Sequence, residues 1–253
     1  MRLFALSDPH LSLGTPGKTM DRFGPQWVDH TGQMARAWDA TVGDDDLVLL
    51  PGDISWARDA AQVAPDLAWI AERPGTKVLA KGNHEHWWGS KAKVRKLLPD
   101  GILCVDGDAV RVGDVALCGT RLWENAELGA AWQDRIAWVG EPISPAGDAA
   151  ALAAAEKVWA REVGRLQRAL ASLDPAASLR VALVHYPPVT PDVQAGELTS
   201  VFAAARVQHV VYGHVHALHR ERRPEPGAER DGVRYWCTSC DTLDFAPVCL
   251  AEV

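Results

Sequence analysis

The sequence is short of most features that announce a membrane-spanning, secreted or nucleic-acid-binding protein. No stretch approaches the roughly 18 uninterrupted apolar residues that a membrane helix needs. The opening run "MRLFALSDPH" turns polar too soon for a secretory signal, so a cytoplasmic location is expected. Basic residues are the minority: 26 Lys and Arg against 33 Asp and Glu give a net charge of −7. That balance argues against long DNA or RNA as a partner. Cysteine is sparse and odd in number, five in 253 residues. Cys104, Cys118 and Cys249 lie in apolar, strand-like runs, which suits buried free thiols better than a disulfide framework. Cys237 and Cys240 form a lone C-x-x-C with no second pair to complete a zinc site. Phenylalanine and tyrosine are few, four and three, whereas tryptophan reaches eleven. Indole buries a large apolar area, so most of these belong to a core. Trp56, Trp87 and Trp88 stand apart because they follow polar clusters.

What is present has an ordered layout. The length and a hydrophobic share of 47% fit a single domain over residues 1–253. "RLFALS" (2–7), "LVLL" (47–50) and "KVLA" (77–80) read as short buried strands. Trp27, Thr31, Met34 and Trp38 recur at the spacing of one helical face. Ala60, Val63, Leu67 and Ile70 mark a second helix, which Pro65 is expected to break or restart. Alternating strands and helices predict a mostly parallel sheet at this end. Beyond residue 100, "ILCV", "AVRV" and "VALCG" follow one another across Asp-Gly and Gly-Asp turns and read as antiparallel strands. Residues 121–149 lack a clear period and are the candidate lid or insertion. Leu152 to Leu173 carry a long amphipathic stripe that Pro175 ends. "RVALVH" and "HVVYGH" are two further buried strands, and "VRYWCTS" with "APVCLAEV" reads as a closing hairpin-like pair.

Five of these strands run into polar clusters: Ser7-Asp8-Pro9-His10, Gly52-Asp53, Gly82-Asn83-His84-Glu85, His185, and Gly213-His214-Val215-His216. In an open α/β sheet the carboxyl ends of the strands share one edge, where ligands bind. Each cluster has an ordinary reading as helix cap, turn or structural histidine. Together they do not, because independent accidents would not place Asp, Asn or His at every such end. Imidazole mixed with carboxylate and amide oxygen suits manganese, iron, zinc or nickel, whereas all-oxygen sites suit magnesium or calcium. Seven such residues exceed the needs of one ion. Two ions about 3.5–4 Å apart, bridged by one carboxylate, would accommodate them and clamp an in-line displacement at phosphorus.

The ordered series D-x-H, G-D, G-N-H-E, H and G-H-x-H, from Asp8 to His216, resembles the calcineurin-like metallophosphoesterases. Within that family, "GDISWA", "KGNHEHWW" and "GTRLW" look more like an uncharacterised bacterial phosphohydrolase branch than like protein phosphatases. The resemblance implies an α/β fold, a four-layer α/β/β/α sandwich with two mixed sheets. It implies one divalent ion on Asp8, His10, Asp53 and His216, and a second on Asp53, Asn83, His185 and His214. Manganese is the metal expected, and a hydroxide bridging the ions would be the nucleophile. His84 would protonate the leaving group or stabilise charge on the phosphoryl group, and Glu85 would support the turn. Arg121, His86 and Trp88 are candidate substrate contacts. The D-R-G type elements of protein phosphatases are absent from "GDISWARDAA". His10 is present, and that ligand tends to accompany diesterase activity in the family. A small phosphodiester, nucleotide-derived in one version, is therefore the expected substrate. A phosphomonoesterase is the alternative, with a nuclease or a non-catalytic scaffold behind it.

Overall fold

The computed structural model describes residues 1–136 and 149–253. Two sheets lie face to face. The first contains β1 (Arg2–Ala5), β2 (Leu47–Pro51), β3 (Thr76–Ala80), β4 (Ile102–Val105) and, at the other edge, β11 (Val248–Glu252), in the order β11-β1-β2-β3-β4. All its pairings are parallel except that of β1 with β11. The second contains β5 (Asp108–Val112), β6 (Val115–Thr120), β7 (Leu179–Val184), β8 (His209–Tyr212), β9 (Ala228–Arg230) and β10 (Val233–Cys237), in the order β5-β6-β7-β8-β10-β9. Its four central strands run parallel, and the edge strands β5 and β9 run antiparallel to their neighbours.

Period-two alternation along each buried strand explains the layering. Leu3, Ala5, Leu47, Leu49, Val78 and Ala80 meet Leu117, Val181, Leu183 and Val211 in a core made of strand residues from both sheets. Their neighbours Phe4, Val48, Leu50 and Leu79 point the other way, with Met34 and Trp38 of α1 (His30–Thr41), Val63, Leu67 and Ile70 of α2 (Ala60–Ala71), and Val94 of α3 (Lys91–Leu97). On the opposite side Cys118, Ala182, Val184 and Val210 pack with Trp132 of α4 (Ala126–Gln133), Val163 and Leu166 of α5 (Ala149–Ala171), and Phe202 of α6 (Glu197–Ala204). The molecule is therefore the α/β/β/α sandwich that the resemblance implies.

Several local expectations are corrected. Helix α2 runs through Pro65 without a break. Pro65 and Ala61 both lie on the solvent face, where water can satisfy the Ala61 carbonyl that proline leaves without its helical donor. Trp27 precedes α1 in a short 3-10 turn, so the helical face starts later than its periodicity suggests. Strand β4 joins β3 in parallel and leaves the antiparallel pairing to β5 and β6. Strands β10 and β11 form no hairpin: they belong to different sheets, and the chain between them crosses the sandwich. Cys249 is exposed, because β11 is an edge strand; Cys104 and Cys118 are buried as expected. Burial raises the Cys237 thiol to about 12 and also pushes that of Cys240 up, so the C-x-x-C is a pair of packed, unreactive thiols. Of the candidate lid, residues 121–136 are ordered around α4, whose Trp132 donates its indole N–H to the Val189 carbonyl at 2.9 Å. Its remainder, Trp138 included, lies outside the described residues apart from Ala149, which opens α5. No helix among the described residues is long and apolar enough to cross a membrane.

Candidate metal centre

The carboxyl ends of β1, β2 and β3 in one sheet and of β7 and β8 in the other open onto the same edge. Past the strands, the backbone continues to pair. The Asp8 N–H donates to the Gly52 carbonyl, His10 to that of Asp53 and Gly213 to that of His185, all within 3.0–3.1 Å. These bonds hold Asp8, His10, Asp53 and His214 at φ values of 56, 44, 53 and 71°. The left-handed region is uncommon for residues with side chains, and such strain collects at functional sites. The motif glycines are needed for close approach. A Cβ on Gly82 would stand 2.1 Å from the Asp53 carboxylate, and one on Gly213 would stand 2.2 Å from that of Asp8.

Two donor groups result. Asp8, His10 and His216 form one; Asp53, His185 and His214 form the other. In the first, His10 Nε2 lies 3.1 Å from His216 Nε2, which lies 3.5 Å from Asp8 Oδ1. In the second, Asn83 Oδ1 lies 2.7 Å from His185 Nε2 and 3.0 Å from His214 Nδ1, and Asp53 Oδ1 is 3.4 Å from His185 Nε2. An ion with bonds near 2.1 Å separates neighbouring donors by roughly 3.0–3.4 Å, so both groups have the spacing of a coordination shell. The other oxygen of Asp53, Oδ2, faces His10 Nε2 at 3.8 Å, which places this carboxylate between the groups.

The electrostatics agree. Asp8 and Asp53 are both buried carboxylates. Burial works against their charge, but the hydrogen bond and charge of His216, with the charge of His185, bring Asp8 down to about 2. Burial is likewise overcome at Asp53, whose carboxyl is held well below its ordinary value by His185. In return, and again against burial, Asp53 raises His185 to about 9, and Asp241 raises His216. His10 and His214 are pushed to about 3, chiefly by burial, and are neutral donors. Both carboxylates are thus kept ionised, and the pocket's imidazoles and carboxylates fit divalent metal ions, whose binding displaces the histidine protons.

Around the donors the remaining expected residues separate. His84 belongs to neither group but stands beside both: its N–H donates to Asp53 Oδ1 at 2.9 Å, and its Nε2 is 3.8 Å from Asp53 Oδ2. Its side chain is 31% exposed, unlike the fully buried His185. Glu85 accepts the backbone N–H groups of Gly82, Asp53 and Ile54, tying the β2 loop to the β3 loop. Burial and the nearby Asp53 charge raise its carboxyl to about 7. Arg121, at the end of β6, lays its guanidinium over Trp123, 4.3 Å from the ring centre. His86 is exposed on the turn. Trp88, a candidate substrate contact, is instead 4% exposed and packs with Trp87 in the helix-side core. Two other indoles face the donors: Trp56, stacked on His10 at 5.2 Å and 4.2 Å from the His84 ring, and Trp27, edge-on to His10 and His216.

One contributor escaped the sequence reading. Asp241 follows β10 and accepts from His216 Nδ1 at 2.8 Å and from the Ala217 N–H at 2.8 Å. A carboxylate behind a histidine fixes its ring and leaves the other nitrogen free to bind metal. "TSCD" repeats the pattern of a buried strand ending in a metal-type residue, which is the signal that points to it.

Known proteins place this centre in context. A family model described as calcineurin-like phosphoesterase matches residues 1–218. The gene 66 protein of Mycobacterium phage L5 is 46% identical over 57 residues, 22% of this chain and 27% of that protein. Its counterpart in Mycobacterium phage D29 is 39% identical over 79 residues, 31% of this chain and 38% of that protein. The matching segments thus span less than two-fifths of either relative. Among solved structures, a phosphopantetheinyl hydrolase from Mycobacterium tuberculosis superposes with a TM-score of 0.50 at 19% identity, over 96% of this chain and 91% of that one. At that identity the likeness concerns the fold alone. The family model covers most of the chain, from the first strand to beyond His216, and the chain belongs to the calcineurin-like phosphoesterase family.

Proposed function

We propose that this chain is a two-metal phosphoesterase that hydrolyses small phosphodiesters. The observation that carries the reading is the meeting of two donor groups across Asp53, with the partly exposed His84 beside them. Two divalent ions, when bound, supply a nucleophile at neutral pH and Lewis acidity toward the phosphoryl oxygens. Asp8, His10, Asp53 and His216 would hold one ion, and Asp53, Asn83, His185 and His214 the other. Manganese is the ion proposed, with iron, zinc and nickel suited to the same donors. Asn83 contributes a neutral oxygen, so it adds no charge that repels an anionic substrate.

His84 Nε2 is the proposed proton donor to the leaving oxygen. Burial lowers its pKa and the Asp53 carboxylate opposes that shift; a phosphate anion beside the ring acts in the same sense as Asp53. Arg121 remains a proposed phosphate contact, since a guanidinium pairs with phosphate oxygens through parallel N–H donors. The diester preference rests on His10, the ligand that accompanies diesterases in the family, and on the absence of protein-phosphatase elements after Gly52-Asp53. One domain over residues 1–253 is proposed to carry the activity.

The test is hydrolysis of matched mono- and bis-p-nitrophenyl phosphates after chelation and readdition of single metals. The diester is expected to be cleaved faster; a faster monoester would make the enzyme a phosphomonoesterase. Silence with every metal would refute both. His84→Ala is expected to retain metal while losing about 10²–10⁴ of turnover. Unchanged rates would remove His84 from the reaction.

A further inference from the structure

A cavity of about 590 Å³ opens beside the first donor group, within the size range of small-molecule sites. Phe23, Gln26, Arg220, Arg223, Asp241 and Phe245 are among its lining residues. It adjoins the metal centre through two of its lining residues, Asp241 and Phe245. Asp241 holds His216 Nδ1 at 2.8 Å, and Trp27 lies edge-on to both His216 and Phe245, at 5.7 and 5.2 Å. The non-reacting arm of a phosphodiester on the donor groups has to leave the centre, and this cavity lies next to His216.

We propose that this cavity binds a second anionic group on that arm, so that the substrate is a phosphodiester carrying a further phosphate, phosphonate or carboxylate. The proposal rests on the phosphoesterase reading and narrows it to a substrate class. Its basis is a pair of guanidinium groups with too little negative charge. Among the described residues, Arg220 and Arg223 share one carboxylate, that of Asp244. Their contacts to it are 3.2–3.4 Å long, beyond the 2.7–2.9 Å of a well-formed charge-assisted bond. Arg223 also donates to the Asp241 carbonyl at 3.1 Å, and its buried Nε has no hydrogen-bond partner. The carboxylate of Asp241 faces His216 and the Ala217 N–H and, among the described residues, forms no ion pair with either guanidinium. Arg220 is 78% exposed and can turn its remaining donors toward a ligand. Phe23 and Phe245 supply an apolar surface for the carbon chain that joins the two anions.

The experiment compares methyl p-nitrophenyl phosphate with its phosphonopropyl and phosphonohexyl counterparts on the metal-loaded protein. Each reaction adds one water across the P–O bond and releases p-nitrophenolate, so only the tail differs. The better-fitting tail is expected to raise kcat/KM about tenfold or more, chiefly through KM, as a charge-assisted guanidinium contact would. Arg220→Gln and Arg223→Gln are expected to reduce that ratio toward one, and Arg220, being exposed, can be replaced without disturbing the fold. Cleavage of all three esters with equal kcat/KM would overturn the second-anion site and leave the phosphoesterase reading intact. If none is cleaved with any metal, the phosphoesterase reading fails, and calorimetric binding of the same three esters decides the site. Tail-dependent affinity lost in Arg220→Gln sustains the site, and equal affinity overturns it.

Discussion

The two donor groups share a carboxylate but are held in place differently. In the group of His185, His214 and Asn83, backbone does much of the holding: His185 Nδ1 contacts the Pro51 carbonyl at 3.1 Å, across the two sheets. In the group of Asp8, His10 and His216, the His214 N–H holds the Asp8 carboxylate, but side chains hold the two histidine rings. His216 leans on Asp241, while His10 Nδ1 has no hydrogen-bond partner and its ring is fixed by stacking on Trp56. A histidine fixed by backbone depends on the fold itself. One fixed by another side chain can be loosened alone. The first group is therefore the one that single substitutions can detune.

The most damaging substitution should be at the shared residue. Asp53→Ala removes the carboxylate whose two oxygens face different groups and leaves the N–H of His84 without its acceptor. Metal analysis is expected to show loss of both ions, with turnover falling by about 10³ or more. Retention of two ions would break the bridging assignment. Asp241→Asn is next: it should weaken one ion about 10–100-fold and spare the other. Competitive chelator titration checks this, and equal weakening of both ions would erase the contrast between the groups. Trp56→Leu should be milder. Loss of the indole frees His84 and His10 while leaving every donor in place, and the rate is expected to fall more for poor leaving groups than for p-nitrophenolate. A uniform fall would show that Trp56 does not position the proton donor.

The smallest effect concerns acid stability outside both groups. Burial lowers His209 to about 4, and its neutral Nδ1 accepts the Trp236 indole N–H at 3.0 Å. Its folded pKa lies below the unfolded value of about 6.5, so the unfolded chain binds more protons between those limits. Stability from this group is fully present above about pH 6.5 and declines as pH falls toward 4, by at most about 1.4 kcal/mol per pH unit. His209→Phe should flatten that part of the urea-midpoint profile of the metal-free protein. An unaltered slope would assign the acid sensitivity to the donor histidines instead.

Much of the centre was legible in the sequence because it sits at strand ends. A short apolar run followed by Asp, Asn or His is a local pattern, and it located Asp8, Asp53, Asn83, His185, His214 and His216. The structure supplied the reason for two motif glycines: close approach at Gly82 and Gly213 leaves no room for a side chain. Strand partnership was not local. "ILCV" and "VRYWC" look the same whichever sheet they enter, and the choice belongs to neighbours distant in the chain. Asp241 depends on such a partnership: it meets His216 because β10 lies parallel beside β8, so the carboxyl ends of the two strands adjoin. The tryptophans show the same limit. Trp56 and Trp88 both follow polar clusters, yet one faces the donors and the other is packed away from them.

By itself, then, the sequence determined the family, because the identities and order of the candidate donors are written at the strand ends. It also determined the layered α/β class, because hydrophobic period and turn residues are local. Only the tertiary structure decided which donors share a group, what stands behind each histidine and where the neighbouring cavity opens. Those relations join residues up to 206 positions apart, as His10 and His216 are, and the packing of two sheets against each other is what brings them together.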